Sequence, residues 1–398
     1  MEDIEIPEFF ICPISLHIMK DPVTATTGIT YDRESIEHWL FTAKNTTCPV
    51  TKQPLPKDSD LTPNHTLRRV IQTWCTENAS KGVQRIPTPK PPLNKSQVTK
   101  LITHDLRAPQ LQLQALQKLE FLAVESARNR KCMVEAGVVK AMFGFIVLCF
   151  NKLHASEGLE EALSILHLLR IRSLVADIKP LLIENDKIIE ALTWVLDLES
   201  ELYKMTRTNA ILVLKTVISA TGTTTLERLS SEFFKRIVKV LRPGAITQKG
   251  VNDALQILLE TCPLGTNRAK MVEEGAVFEL IEHECASPER RTTELIMAVL
   301  FHLCSCAAGR AAFLSHAAGV AVVGKRILSV SLATDDRAIL ILCFICKYSG
   351  TDEVLQEMLK VGTVSKLCMM LQVEHAAYLK QEIRGVLKAH SNEEKSSY

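Results

Sequence analysis

Cys132-Met133-Val134-Glu135-Ala136-Gly137-Val138-Val139 returns later in the chain as Met271-Val272-Glu273-Glu274-Gly275-Ala276-Val277. It returns again around Ala317-Ala318-Gly319-Val320 and as Met358-Leu359-Lys360-Val361-Gly362-Thr363-Val364. Weaker copies without the glycine surround 188–196 and 233–241, so the marker position falls at 137, 187, 232, 275, 319 and 362. A spacing of roughly 40–47 residues is that of stacked helical repeats. In each copy a helix is expected to end near the marker, where glycine permits a sharp turn, and an apolar helix to begin directly after it. One such unit cannot bury its apolar face alone, so neighbours must stack. From about 96 to 390 the chain therefore reads as an all-α solenoid.

Composition agrees with packed helices. The 398 residues are 46% hydrophobic and 23% charged, with aromatics at 5%, and the formal net charge is +2, too small to argue for nucleic acid. Residues 1–78 carry seven Lys/Arg against eleven Asp/Glu, a net of −4, which leaves +6 on the remainder. Two surfaces of opposite sign suggest different partners. Met1-Glu2-Asp3-Ile4-Glu5 is acidic where a signal peptide would be basic. The longest apolar runs, 141–150 and 338–346, fall short of the ~20 residues a membrane span needs. Twelve scattered Cys read as reduced thiols. The expectation is a soluble, cytosolic protein, with the nucleus left open.

Residues 8–78 hold most of the turn chemistry. An apolar loop at 9–16 precedes a short hairpin around Gly28. Asp32 is placed to cap a helix over about 33–41, with Ile36 and Leu40 on one face and Trp39 beside them. Pro49 and Pro54 punctuate a second loop, and Pro63-Asn64 opens another helix bearing Leu67, Val70, Ile71 and Trp74. Zinc is excluded as a paired structural ion here. Two tetrahedral sites need eight ligands, whereas 1–78 offer Cys12, His17, His38, Cys48, His65 and Cys75 with no C-x₂-C spacing. The charged residues Asp21, Asp32, Arg33, Glu34, Arg68 and Arg69 are the candidates for cross-links between loops. Residues 79–95, with Pro87, Pro89, Pro91 and Pro92 among basic side chains, read as a stiff spacer, and 391–398 as a disordered polar tail.

The string Glu5-Ile6-Pro7-Glu8-Phe9-Phe10-Ile11-Cys12-Pro13-Ile14-Ser15, followed by Asp21-Pro22-Val23, Gly28-Ile29-Thr30-Tyr31-Asp32-Arg33, Trp39-Leu40, Cys48-Pro49-Val50-Thr51 and Thr62-Pro63-Asn64, resembles the U-box family of ubiquitin ligases. With the glycine-marked repeats behind it, the chain is similar to the plant U-box/armadillo ligases, in particular a subgroup linked to stress and immune responses. The resemblance implies a small α+β, RING-like, zinc-free U-box followed by an all-α armadillo-repeat solenoid, with no cofactor. It implies that a ubiquitin-charged conjugating enzyme docks on Ile14, Leu16, Trp39 and Pro49, and that Lys52 stands where relatives carry a ubiquitin-orienting cation. It also leaves a homodimer through the U-box open. From spacing alone Trp39 is core as readily as interface. An exposed aromatic anchor on a shallow apolar patch nonetheless suits a transient contact.

The mechanism this implies has no covalent step on the chain: the module orients a preformed thioester toward a substrate lysine. A thiol relay would need an activated Cys beside a base. Cys12 and Cys48 instead precede prolines in structural loops, and Cys343-Phe344-Ile345-Cys346 lies in an apolar run that reads as buried. The repeats are expected to recruit a protein substrate along a groove. The Trp/Asn ladder of armadillo importers is absent, since Leu198 rather than Asn lies four positions after Trp194. The rival reading is an armadillo scaffold with an inactive U-box.

Overall fold

The computed structural model describes residues 6–42, 45–55, 60–79, 83, 93–152, 156–169, 175–286, 288–372 and 377–396, and most of the 79–95 spacer lies outside them. The chain divides into two compact units, Met1–Ala141 and Met142–Tyr398. The division does not fall at the proline-rich spacer: the first repeat helices share a unit with the N-terminal module.

In the first unit β1 (Pro22–Thr24) pairs antiparallel with β2 (Thr30–Asp32), in the register Val23 to Tyr31. The turn between them needs a left-handed residue, and Gly28 supplies it at φ 81°. A third strand, β3 (Thr62–Pro63), joins the free edge of β1. It escaped sequence reading because two residues carry no alternation. α1 (Arg33–Glu37) is shorter than expected and passes into a π-helical turn, His38–Thr42, which carries Trp39. Asp32 stands at the N-cap but does not cap; its Oδ1 accepts from the Lys20 and Asp21 backbone N–H at 2.7 and 2.9 Å. α2 (His65–Glu77) is capped by Asn64, whose side chain accepts from Leu67 N–H at 3.0 Å. Phe10, Cys12, Val23, Tyr31, Ile36, Leu40, Cys48, Leu55 and Ile71 are buried in one core.

After the spacer come α3 (Lys95–Thr103), α4 (Gln112–Glu125), α5 (Ala127–Glu135) and α6 (Val138–Asn151). Asn94 and Gln97 form a reciprocal capping box at the start of α3. α5 packs on the π turn, and Arg128 lies near the buried Glu37 carboxylate. Burial pushes the Glu37 carboxyl up, against the pull of Arg33 and Arg128.

The second unit continues as α7 (Leu159–Leu168), α8 (Val175–Glu184), α9 (Ile188–Trp194), α10 (Lys204–Ala220), α11 (Thr223–Glu227) and α12 (Ser231–Lys239). Then follow α13 (Gln248–Thr261), α14 (Gly265–Glu273), α15 (Ala276–Cys285), α16 (Arg290–Cys304), α17 (Ala307–Ser315) and α18 (Gly319–Arg326). The last four are α19 (Leu332–Ser349), α20 (Asp352–Lys360), α21 (Thr363–Gln372) and α22 (Ala377–Ser396). Every third helix, α7, α10, α13, α16, α19 and α22, packs on the next of its kind and forms one continuous row. The tail expected at 391–398 is helical as far as Ser396, because α22 extends through it.

The glycine markers behave in two ways. Gly137, Gly275 and Gly362 are left-handed, at φ 85°, 78° and 74°, and each separates two helices. Gly319 is not left-handed; it is required by close packing, since a Cβ there would stand 2.6 Å from the Phe313 carbonyl oxygen. At 232 the turn falls slightly earlier, where Ser230 caps α12 by accepting from Phe233 N–H at 3.2 Å.

Polar side chains stitch successive repeats by reaching backbone carbonyls about forty residues away. Arg207 donates to Ala245 O at 3.0 and 2.8 Å. Asn267 donates to Leu226 O at 3.0 Å, and Lys366 to Gly324 O at 3.0 Å. The bonds to Leu226 O and Gly324 O fall on carbonyls in the last turns of α11 and α18, and the bond to Ala245 O on the loop before α13.

Candidate conjugating-enzyme docking site

The two loops of the N-terminal module are built alike. Cys12-Pro13-Ile14-Ser15-Leu16 is closed by Cys12 N–H donating to His17 O and Leu16 N–H to Cys12 O, both at 2.9 Å. Cys48-Pro49-Val50-Thr51-Lys52 is closed by Cys48 N–H donating to Gln53 O at 2.8 Å and Lys52 N–H to Cys48 O at 3.0 Å. Leu16 and Lys52 occupy the same left-handed position, at φ 57° and 60°. For a non-glycine residue this conformation costs roughly 1–2 kcal/mol, and such strain gathers at functional sites. The repeated Cys-Pro-[Ile/Val]-[Ser/Thr] signal was visible in the sequence, yet it did not single out Val50, the counterpart of Ile14. Val50 is exposed.

Each cysteine sulfur sits where hydrogen bonds converge. Cys48 Sγ is met by Tyr31 OH at 2.9 Å, Thr27 Oγ1 at 3.4 Å and Thr51 N–H at 3.4 Å. Burial pushes this thiol up, but the bonds from Thr27, Thr51 and Tyr31 outweigh it and bring it down to about 6. Tyr31 is raised, first by burial and then by its bond to Cys48. Cys12 Sγ accepts from Asp32 N–H at 3.2 Å. Burial opposes ionisation of Cys12 too, and hydrogen bonds from Ser15, Asp32 and Ile14 leave its thiol lowered.

Carboxylate links complete the frame. Asp21 pairs with Arg33 at 2.6 Å and with Arg68 at 3.5 Å, joining the first loop to α1 and α2, and Arg33 also approaches Glu37 at 3.7 Å. Glu34 and Arg69 form no ion pair with described residues. Among the described residues no group of three or more His, Cys, Asp or Glu is gathered as a metal would require.

A consequence for pH follows from Cys48. A thiol lowered in the folded state contributes stability that is fully present above its ordinary value near 9 and lost as pH falls through 6. Within that window the dependence is about 1 kcal/mol per pH unit. Denaturant unfolding of Cys48→Ser is expected to lack this slope while wild type shows it; parallel slopes would contradict a thiolate hub.

Of the residues singled out from sequence, Ile14 and Trp39 are half-buried and pack against the same core. Trp39 Nε1–H donates to Thr47 O at 2.8 Å, which ties the π turn to the base of the second loop. Leu16 is 74% exposed at the tip of the first loop, Pro49 is half-buried, and Lys52 is exposed. These residues put apolar side chains on two loops and a partly seated indole over one shared core, with Lys52 the single cation among them.

Two hydrogen-bonded loops flanking a short central helix, together with stacked three-helix repeats, define a RING-like module joined to a helical solenoid. Residues 6–80 match the model of the U-box domain, and residues 97–398 match that of the plant U-box protein ARM repeat region. Two Arabidopsis thaliana proteins are similar over nearly their whole length. E3 ubiquitin-protein ligase PUB24 is 44% identical, with 98% of this chain and 93% of the relative covered. E3 ubiquitin-protein ligase PUB23 is 43% identical, with 100% and 95% covered. A chain from a structural study of the cadherin–β-catenin interaction shares the fold alone. Its TM-score is 0.59 at 12% identity, over 82% of this chain and 58% of that one. The chain belongs to the plant U-box proteins with armadillo repeats.

Proposed function

We propose that this chain is a ubiquitin ligase that docks a ubiquitin-charged conjugating enzyme on Ile14, Leu16, Trp39 and Pro49 and promotes direct transfer to a substrate lysine. The observation that carries the reading is the pair of strained Cys-Pro loops, the second tied at its base to Trp39 and both rooted in the core on which that indole packs. Such a platform contributes orientation, not bonds. Burial of the two lowered thiols, Cys12 and Cys48, argues for transfer without an intermediate on this chain. Cys12 and Cys48 are buried with their sulfurs engaged. Burial pushes Cys343 up to about 12 and Cys346 up to about 11, so both stay thiols. The ligase names of the two Arabidopsis relatives point the same way. In this reading the repeats recruit substrate, the likeness of the first loop to the stress- and immunity-linked subgroup supports a role in such signalling, and the scattered reduced thiols support a cytosolic location, with the nucleus left open. Unaltered stress responses in plants lacking the protein, or a fluorescent fusion excluded from the cytosol, would argue against those last assignments.

Activating enzyme, conjugating enzyme, ubiquitin and ATP supplied to the purified chain are expected to yield ubiquitin chains. Absence of chains with every conjugating enzyme tried leaves a scaffold. Lys52 refines the test. Lys52→Ala is expected to slow transfer by about threefold to tenfold with conjugating-enzyme affinity unchanged, and Lys52→Arg to match or exceed wild type, because a planar guanidinium bridges two acceptors. Equal rates for all three proteins would remove Lys52 from the mechanism.

A further inference from the structure

In the repeat row, α13, α16 and α19 leave a groove of about 220 Å³ lined by Gln256, Leu259, Arg291, Leu295, Ala298 and Arg337, with Glu294. Leu259, Leu295 and Ala298 make it apolar at the centre. Arg291 is exposed, and neither it nor Arg337 forms an ion pair with a described carboxylate. Arg337 donates to the backbone carbonyl of Glu294 at 3.5 Å. Glu294 is already engaged: Ser331 above all, and then Arg290 at 3.3 Å with Arg337 farther off, hold its carboxyl low. Farther along α16, the His302 imidazole is lowered first by burial and then by the positive charges of Arg268 and Arg337. Gln256 Oε1 is buried and receives no hydrogen bond from the described residues.

Resting on the reading that the repeats recruit substrate, we propose that this groove takes an extended, acidic segment of a protein. Its carboxylates meet Arg291 and Arg337, and an apolar side chain enters beside Leu259, Leu295 and Ala298. Charge complementarity selects the guest. A basic segment would face two guanidiniums, of which Arg337 is only partly offset by Glu294, and Glu294 in the same lining repels a phosphate dianion more than a carboxylate.

Fluorescein-labelled nonapeptides that alternate Leu with Glu, Lys, Ser or phosphoserine, titrated into the full-length protein, test this by anisotropy. The Glu peptide is expected to bind about tenfold tighter than the Lys and Ser peptides and to weaken with added salt. The double variant R291A/R337A is expected to lose about that tenfold preference at an unchanged melting temperature. Equal binding of all peptides, binding by none, binding of the phosphoserine peptide alone, or indifference to the double variant would each overturn the proposal. Self-ubiquitination by the double variant should stay at the wild-type level. Failure of wild type itself to form chains would sink the ligase reading while leaving the peptide result standing.

Discussion

Trp39→Ala is expected to abolish detectable ubiquitin-chain formation while the repeats remain folded. An aromatic anchor at the centre of a small interface is worth about 2–4 kcal/mol, and a transient complex has little affinity in reserve. The substitution also removes the bond from Nε1 to Thr47 O, so some loss of stability in the module accompanies it. Trp39→Phe separates the two effects. It keeps an aromatic face and loses the same bond, so it should unfold nearly as easily as Trp39→Ala yet retain part of the activity. Leu55→Ala, which hollows the buried core away from the loop tips, should lower the unfolding midpoint more than either. Chain formation by Trp39→Ala at the wild-type rate, measured with the conjugating enzyme below saturation, would be incompatible with docking on this face.

Arg326→Ala is expected to cost the repeat domain roughly 3–5 kcal/mol, the usual penalty for stranding a buried charge. Glu284 at the end of α15 is fully buried. It accepts from Thr293 Oγ1 at 3.1 Å and from Arg326 Nε, and its Oε2 has no partner among the described residues. Burial raises the carboxyl and Arg326 pulls it back. Without the arginine it rises further. An acid raised in the folded state is a cost above its folded pKa that disappears as pH falls through that value toward the unfolded one. The variant should therefore recover toward wild type on mild acidification, and adding Glu284→Gln should rescue it at neutral pH. A melting temperature unchanged at neutral pH would show the ion pair to be dispensable.

Much of this architecture was legible because periodicity is a physical necessity of stacking. The glycines at 137, 275 and 362 announced themselves, since a tight turn between two helices needs a left-handed residue. What escaped was non-local. Asp32 looks like a cap and instead holds the first loop, a choice made by Lys20 and Asp21 backbone groups brought to it by the hairpin. The π turn under Trp39 has no composition of its own. Which of six charged residues would meet depended on α2 returning to the first loop, so the Asp21–Arg33–Arg68 junction could be anticipated only as a set. The groove arginines were invisible, being charges on a helix face like any others until the neighbouring helices are in place.

The stitching of each repeat to the next has a practical meaning for how this domain breaks and grows. Because the ties described here run to an adjoining rung, harm at one position should spread no farther than its immediate neighbours, and amide exchange should quicken from the outer rungs inward. By the same logic an engineer could splice in or cut out a whole rung and leave the rest of the ladder standing, whereas a half-rung would put every seam beyond it out of step.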